Sequence, residues 1–227
     1  MGIQNNIAKF SALTARHGAR LIAVSKTHPA ERIAEAYAAG QLAFGENKVQ
    51  EMAEKQPLLP ANLEWHLIGH LQRNKVKYIA PFVALIHAVD SLRLLEEINK
   101  QGEKCGRVIP CLIQVFIARE ETKFGLEPAE VRELLHSGQL PQLTFIHIEG
   151  LMGMATLTAD KEQIRSEFRG LKNFFEELKS ESLPANVRMK ELSMGMSSDY
   201  EIALEEGSTM IRVGTAIFGE RNYSTSA

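Results

Sequence analysis

The sequence predicts a closed (β/α)8 barrel, an α/β fold of parallel strands, preceded by one extra N-terminal helix. Two observations predict it. Eight short apolar runs alternate with longer amphipathic stretches along the chain, and strands alternating with helices imply right-handed crossovers onto a parallel sheet. The units also number eight, which fits a closed barrel better than an open sheet. At 227 residues the chain is slightly shorter than a typical barrel of ~250 residues. A doubly wound open sheet is the alternative topology.

Taken in order, residues 3–17 read as the extra helix. Leu21-Ile22-Ala23-Val24-Ser25 is a continuous apolar run of a strand buried on both faces, closed by Lys26 and Thr27-His28-Pro29. A helix over 30–39 follows, with Gly40 as its C-terminal cap. The same unit recurs with strands at 42–44, 65–68 and 84–89, each followed by helical character, at 48–55, through 74–79 and at 92–99. Asp90-Ser91 supplies an N-cap for the last of these helices. Strands at 108–117, 145–152, 191–194 and 210–213 complete the set, with helices at 128–136, 160–179 and 198–206. No Pro/Gly/Ser-rich linker divides the chain, so residues 1–227 are expected to form one barrel domain.

Composition narrows the function classes. The 26 basic and 28 acidic residues leave a net charge of −2, which argues against the concentrated positive field that nucleic acid or an anionic membrane requires. No apolar stretch approaches the ~20 residues of a membrane span. The N-terminus lacks a signal-peptide or myristoylation pattern, and the cysteines are two, Cys105 and Cys111. A reducing, cytoplasmic setting with free thiols follows as the expectation. His66 and His70 are four residues apart, but an extended chain separates such residues by roughly 13 Å, too far for a shared metal. The cysteines lack zinc spacing, and neither a dinucleotide fingerprint nor a phosphate loop of the Walker type is present.

The strand ends offer Lys26, Glu46-Asn47, Gly69, Asp90, Lys123, Gly153, Ser193 to Gly195 and Gly214-Thr215. Lys26 continues the face of Ile22 and Val24 under the two-residue strand period. A lysine at a barrel mouth is a candidate imine-forming amine, because desolvation and cationic neighbours favour its neutral, nucleophilic form. In Met210-Ile211-Arg212-Val213-Gly214-Thr215, Ile211 and Val213 share one face, which turns Arg212 into the barrel. Gly214-Thr215 then opens a turn whose backbone N–H groups can hold a phosphate, in the region where barrels often bind one. Ser193-Met194-Gly195-Met196-Ser197-Ser198 fits the preceding loop. Ser197 or Ser198 can equally serve there as the N-cap of the next helix.

Several long motifs, in fixed order from Leu21 to Arg221, resemble one family. They are Ala23-Val24-Ser25-Lys26-Thr27, Phe44-Gly45-Glu46-Asn47-Lys48-Val49-Gln50-Glu51, Trp65-His66-Leu67-Ile68-Gly69-His70-Leu71-Gln72-Arg73-Asn74-Lys75, Gly150-Leu151-Met152, Leu192-Ser193-Met194-Gly195-Met196-Ser197 and Gly207 through Gly219. The family is the pyridoxal-phosphate homeostasis proteins, also called proline synthase co-transcribed homologues. Its fold is similar to the barrel domain of alanine racemase, fold type III among proteins that use pyridoxal 5′-phosphate (PLP). By this resemblance Lys26 forms a covalent aldimine with PLP, and Arg212 faces the pyridine nitrogen. Ser193, Gly214 and Thr215 resemble phosphate ligands, and Asn47 lies beside the cofactor.

The resemblance implies a non-catalytic protein that holds, buffers and delivers PLP, thereby influencing amino- and keto-acid pools. Apo forms of PLP-dependent enzymes are the implied partners, and a monomer is expected. The alternative is an amino-acid racemase using Lys26 as one base. Racemases of this fold type carry an additional β domain and a tyrosine supplied across a dimer. Tyr37, Tyr78 and Tyr200 fall in helical stretches and Tyr223 in the tail, and the barrel is expected to use up the chain.

Overall fold

The structure is a computed structural model that describes residues 2–118 and 124–219. Lys123 and Tyr223 lie outside the described residues, as do the last residues of the family resemblance. The chain opens with α1 (Ile3–Arg16) and β1 (Arg20–Val24). Then come α2 (Ala30–Ala38), β2 (Ala43–Glu46), α3 (Val49–Lys55), β3 (Glu64–Leu67), α4 (Val76–Ile79), β4 (Val83–Val89) and α5 (Leu92–Cys105). The second half comprises β5 (Ile109–Gln114), α6 (Pro128–Leu135), β6 (Ile146–Met152), α7 (Lys161–Lys179), β7 (Val187–Ser193), α8 (Tyr200–Glu205), β8 (Met210–Val213) and α9 (Thr215–Phe218).

The eight strands form a closed barrel in sequence order. β1 pairs in parallel with both β2 and β8, with Ile22 level with Arg212. The expected topology therefore holds, and the open sheet is set aside.

Two apolar layers follow from the pleat. Outward-facing Ala23, Phe44, Trp65, Leu67, Ile211 and Val213 join the inner faces of the helices in one large buried cluster. Ile22, Ala43, Leu85, Ala88, Leu112, Met152 and Met210 fill the barrel interior. The alternation across each strand produces this division. α1 belongs to the outer shell, where Ile3, Ile7 and Phe10 are buried.

Several boundaries differ from the sequence reading. β7 begins at Val187 rather than 191, because Val187 and Met189 are buried while Arg188 and Lys190, which alternate with them, are exposed. That first half is an alternating, half-buried strand, not a continuous apolar run. β2 runs on through Gly45 to Glu46, and Leu42 is half-exposed outside it. α5 extends past 99 to Cys105 and stops at Gly106 in the left-handed conformation. The helix expected over 198–206 is the shorter α8; Asp199, rather than Ser197 or Ser198, holds its N-cap position, without a side-chain capping bond, and accepts from the Met196 N–H instead.

Candidate functional site

A cavity of about 570 Å³ opens at the C-terminal ends of the strands, lined by Lys26, Asn47, Arg212, Gly214 and Thr215 among others. Five of the six expected site residues thus meet in one space. The sixth, Ser193, is fully buried and does not line the cavity. Its hydroxyl accepts a hydrogen bond from Arg212 Nη1 at 2.5 Å and lies 3.0 Å from His87 Nδ1. The strand reading of Ser193 holds, but its place is beneath Arg212.

Lys26 follows directly on the buried end of β1. Ser25 is turned outward and donates to Glu46 Oε1 at 2.7 Å, which leaves Lys26 on the inner face with Ile22 and Val24. Behind this wall Lys55 Nζ donates to Glu46 Oε1 at 2.8 Å, Glu51 Oε1 at 2.6 Å and the Ser25 carbonyl at 3.0 Å. Burial pushes the Glu46 carboxyl above its ordinary range despite Lys55 beside it. Thr27 adopts φ 67°, a left-handed conformation that is unfavourable for a β-branched residue. Its N–H donates to Glu51 Oε1 at 2.5 Å, which ties the turn to α3.

Arg212 comes from the inner face of β8. Besides its bond to Ser193, Nη2 donates to the Gly153 carbonyl at 3.0 Å. Burial pushes the guanidinium down to about 10, with Asp199 opposing the shift, so it remains a cation at neutral pH. Beside it the Gly214 N–H donates to Ser197 Oγ at 3.3 Å, placing a hydroxyl and the first amides of α9 on the same wall. The far end of α9 is fixed by Asn6 Nδ2, which donates to the Ile217 carbonyl at 3.0 Å, and by Arg32 Nη2, which donates to the Phe218 carbonyl at 2.9 Å.

Asn47 continues β2 on the opposite side. A Cβ at Gly69 would stand 2.4 Å from the Asn47 carbonyl oxygen, so only glycine lets the two strand ends approach this closely. The rim carries groups that the sequence reading did not assign to the site, His28, His70, Gln114 and Phe124, together with Ser197 from the loop it offered before the phosphate turn. His70 Nδ1 lies 3.3 Å from Asp90 Oδ2 and its ring stacks on Phe124 at 4.6 Å. His28 and His70 follow a strand end by a few residues, a position many solvated residues share, whereas Gln114 is the last residue of β5 and Phe124 lies 10 positions beyond it.

Barrel, strand-end lysine and buried arginine together define the class, and the family comparison agrees. Residues 2–222 match the model for the alanine racemase N-terminal domain. A crystal structure of alanine racemase from Bartonella henselae shares the fold, with a TM-score of 0.70 at 16% identity, covering 100% of this chain and 61% of that one. Closer relatives narrow the class. The pyridoxal phosphate homeostasis protein of Aquifex aeolicus is 44% identical over 207 residues, covering 90% of this chain and 88% of its own. PipY of Synechococcus elongatus, in a structure with PLP bound, has a TM-score of 0.85 at 40% identity, covering 96% of this chain and 100% of that one. The chain belongs to the pyridoxal phosphate homeostasis protein family.

Proposed function

We propose that this protein binds PLP in the cavity, holds it reversibly through Lys26, and buffers and delivers it without catalysing a reaction of its own. The observation that carries this reading is the meeting of Lys26 and the buried, charged Arg212 in one cavity, with the Gly214–Thr215 turn and Ser197 on its wall. The donor set fits the cofactor's three chemical handles. An amine suits the aldehyde, a cation suits the aromatic nitrogen, and amides with hydroxyls suit the phosphate. The relative from Synechococcus elongatus, in its PLP-bound structure, supports the same ligand here.

When bound, the cofactor supplies an aldehyde that amines can take up and release, and a ring able to withdraw electrons. The residues limit that second property. A guanidinium against the ring nitrogen disfavours its protonation, which weakens the electron sink. Lys26 anchors the cofactor by its amine, and any competing amine can displace that anchor. Gly214, Thr215 and Ser197 would hold the phosphate, with Ser193 buried beneath Arg212 rather than in the cavity. Asn47 would lie beside the ring.

Addition of PLP to the purified protein is expected to produce a visible absorbance band that Lys26→Ala abolishes. A band that survives the substitution overturns the assignment of Lys26. Holo-protein is also expected to show no sustained α-proton exchange on free amino acids, while transferring PLP to an apo PLP-dependent enzyme. Stereospecific exchange with turnover would instead establish the racemase reading.

A further inference from the structure

The inside of the barrel holds a line of polar groups that the cavity alone does not require. From Arg212 Nη1 it passes to Ser193 Oγ at 2.5 Å, on to His87 Nδ1 at 3.0 Å, and from His87 Nε2 to His66 Nδ1 at 2.9 Å. His66 Nε2 then faces Glu64 Oε2 at 3.8 Å, where Glu64 opens β3 at the opposite mouth and pairs with Arg20. Ser193, His87 and His66 are all buried. We propose that Ser193, His87, His66 and Glu64 are positioning residues for Arg212: the first three form one directed hydrogen-bond line inside the barrel, and the Glu64 carboxylate at the far mouth sets its direction by charge from 3.8 Å.

The direction follows from the two charged ends. A guanidinium can only donate, so Ser193 Oγ accepts from Arg212 and is free to donate to His87 Nδ1. His87 then carries its proton on Nε2 and donates to His66 Nδ1. His66 in turn carries its proton on Nε2, pointed at the Glu64 carboxylate. The reverse order would bury a bare nitrogen lone pair against that carboxylate and strand the serine proton, both unfavourable in a low-dielectric interior. Burial keeps both imidazoles neutral. Among the described residues His66 Nε2 makes no hydrogen bond, and the Glu64 carboxylate at 3.8 Å is the charge it faces, so Glu64 ends the line electrostatically. Cooperative polarisation along such a chain sharpens the orientation of its terminal donor. Arg212, held also by the Gly153 carbonyl, is thereby aimed rather than merely accommodated.

This inference rests on Arg212 facing the cofactor ring, so its test has one arm on the apo-protein and one on the loaded protein. Long-range ¹H–¹⁵N spectra of the apo-protein at neutral pH are expected to show both His66 and His87 as neutral Nε2–H tautomers. Glu64→Gln should shift both Nε2–H resonances. An Nδ1–H tautomer or a cationic ring at either position overturns the relay. In the loaded protein, Glu64→Gln is expected to speed release of PLP about fivefold, followed as loss of the visible band into an apo-enzyme trap. Arg20→Gln, which breaks only the surface ion pair, should release PLP at the wild-type rate. Equal rates for Glu64→Gln and wild type, or for the two variants, overturn the positioning role. Should the wild type take up no PLP, the functional reading fails by itself, and the apo-protein tautomers decide the relay.

Discussion

At the level of single residues, the largest departure from the sequence reading is Ser193. Its motif places it beside the phosphate turn, yet its hydroxyl bridges two buried groups, Arg212 and His87. This difference can be measured without cofactor. Ser193→Ala leaves a guanidinium and an imidazole nitrogen with an unmet partner, and unmet buried polar groups cost about 1–3 kcal/mol each. The apo-protein is therefore expected to lose about 1–3 kcal/mol in urea unfolding, whereas a residue that touched only phosphate would leave apo stability unchanged. Gly69 gives a second case. Its substitution by alanine drives a methyl into the Asn47 backbone, and such overpacking costs about 1–3 kcal/mol. Because Asn47 lines the cavity, Gly69→Ala should also weaken PLP uptake in an absorbance titration, while a change confined to stability would show that Asn47 does not contact the ligand. Lys26, Arg212, Gly214 and Thr215 were legible in the sequence because each sits at a strand end whose parity or turn chemistry is local. Ser193 was legible as a strand residue but not as a buried one. The arginine that covers it lies 19 positions away in sequence.

Among the elements, the β1–β2–α3 corner decides how Lys26 is presented. Strand β2 ends in Glu46, a charge that reads in sequence as the start of a loop, and α3 ends in Lys55, which reads as solvated surface. The fold instead buries both and joins them, with Glu51 and Ser25, behind the Lys26–Thr27 turn. This pairing depends on two elements packing together, so no local pattern announces it. Removing one partner of a buried ion pair costs about 3–5 kcal/mol, because the other charge stays uncompensated. Lys55→Met is expected to destabilise the protein by that order at neutral pH. The loss should shrink as pH falls, since Glu46 takes up a proton more readily in the fold than in the unfolded chain. Combining it with Glu46→Gln should recover much of the stability, and a double variant as unstable as the single one would show that the cost lies in packing of the lysine stem. The start of the alternating strand β7 is hidden for a related reason. Arg188 and Lys190 face outward and are exposed, so the half-buried pattern hides a strand that the barrel requires.

For the whole molecule, the order of alternating runs was enough to expect eight parallel strands in a closed ring, because short connections and fixed handedness leave few alternatives. The polar line through the ring was not legible as a unit, since its members come from β3, β4, β7 and β8. It had one signal: His87 stands within an otherwise apolar strand run, and a buried polar side chain needs a partner. The line also sets how the molecule responds to acid. Burial lowers His66 below the ordinary histidine value and His87 well below it, so the folded protein keeps both neutral where the unfolded chain begins to take up protons. A lowered folded value means the unfolded state binds more protons as pH drops through about 6.5, and stability falls with pH from there downward. Each histidine contributes up to about 1.4 kcal/mol per pH unit in that window. Glu64, held near 2 by the facing His66 and by Arg20, acts in the same direction at lower pH, below the usual carboxylate value of 4.5. Urea unfolding of the apo-protein between pH 7.5 and 5.5 is thus expected to show stability that is level above about 6.5 and declines below it, with up to about two protons bound on unfolding. His87→Phe should flatten the decline by about one proton even if it lowers stability throughout. A wild-type profile level down to pH 5.5 would mean that water or a rearranged interior lets the histidines charge inside the barrel.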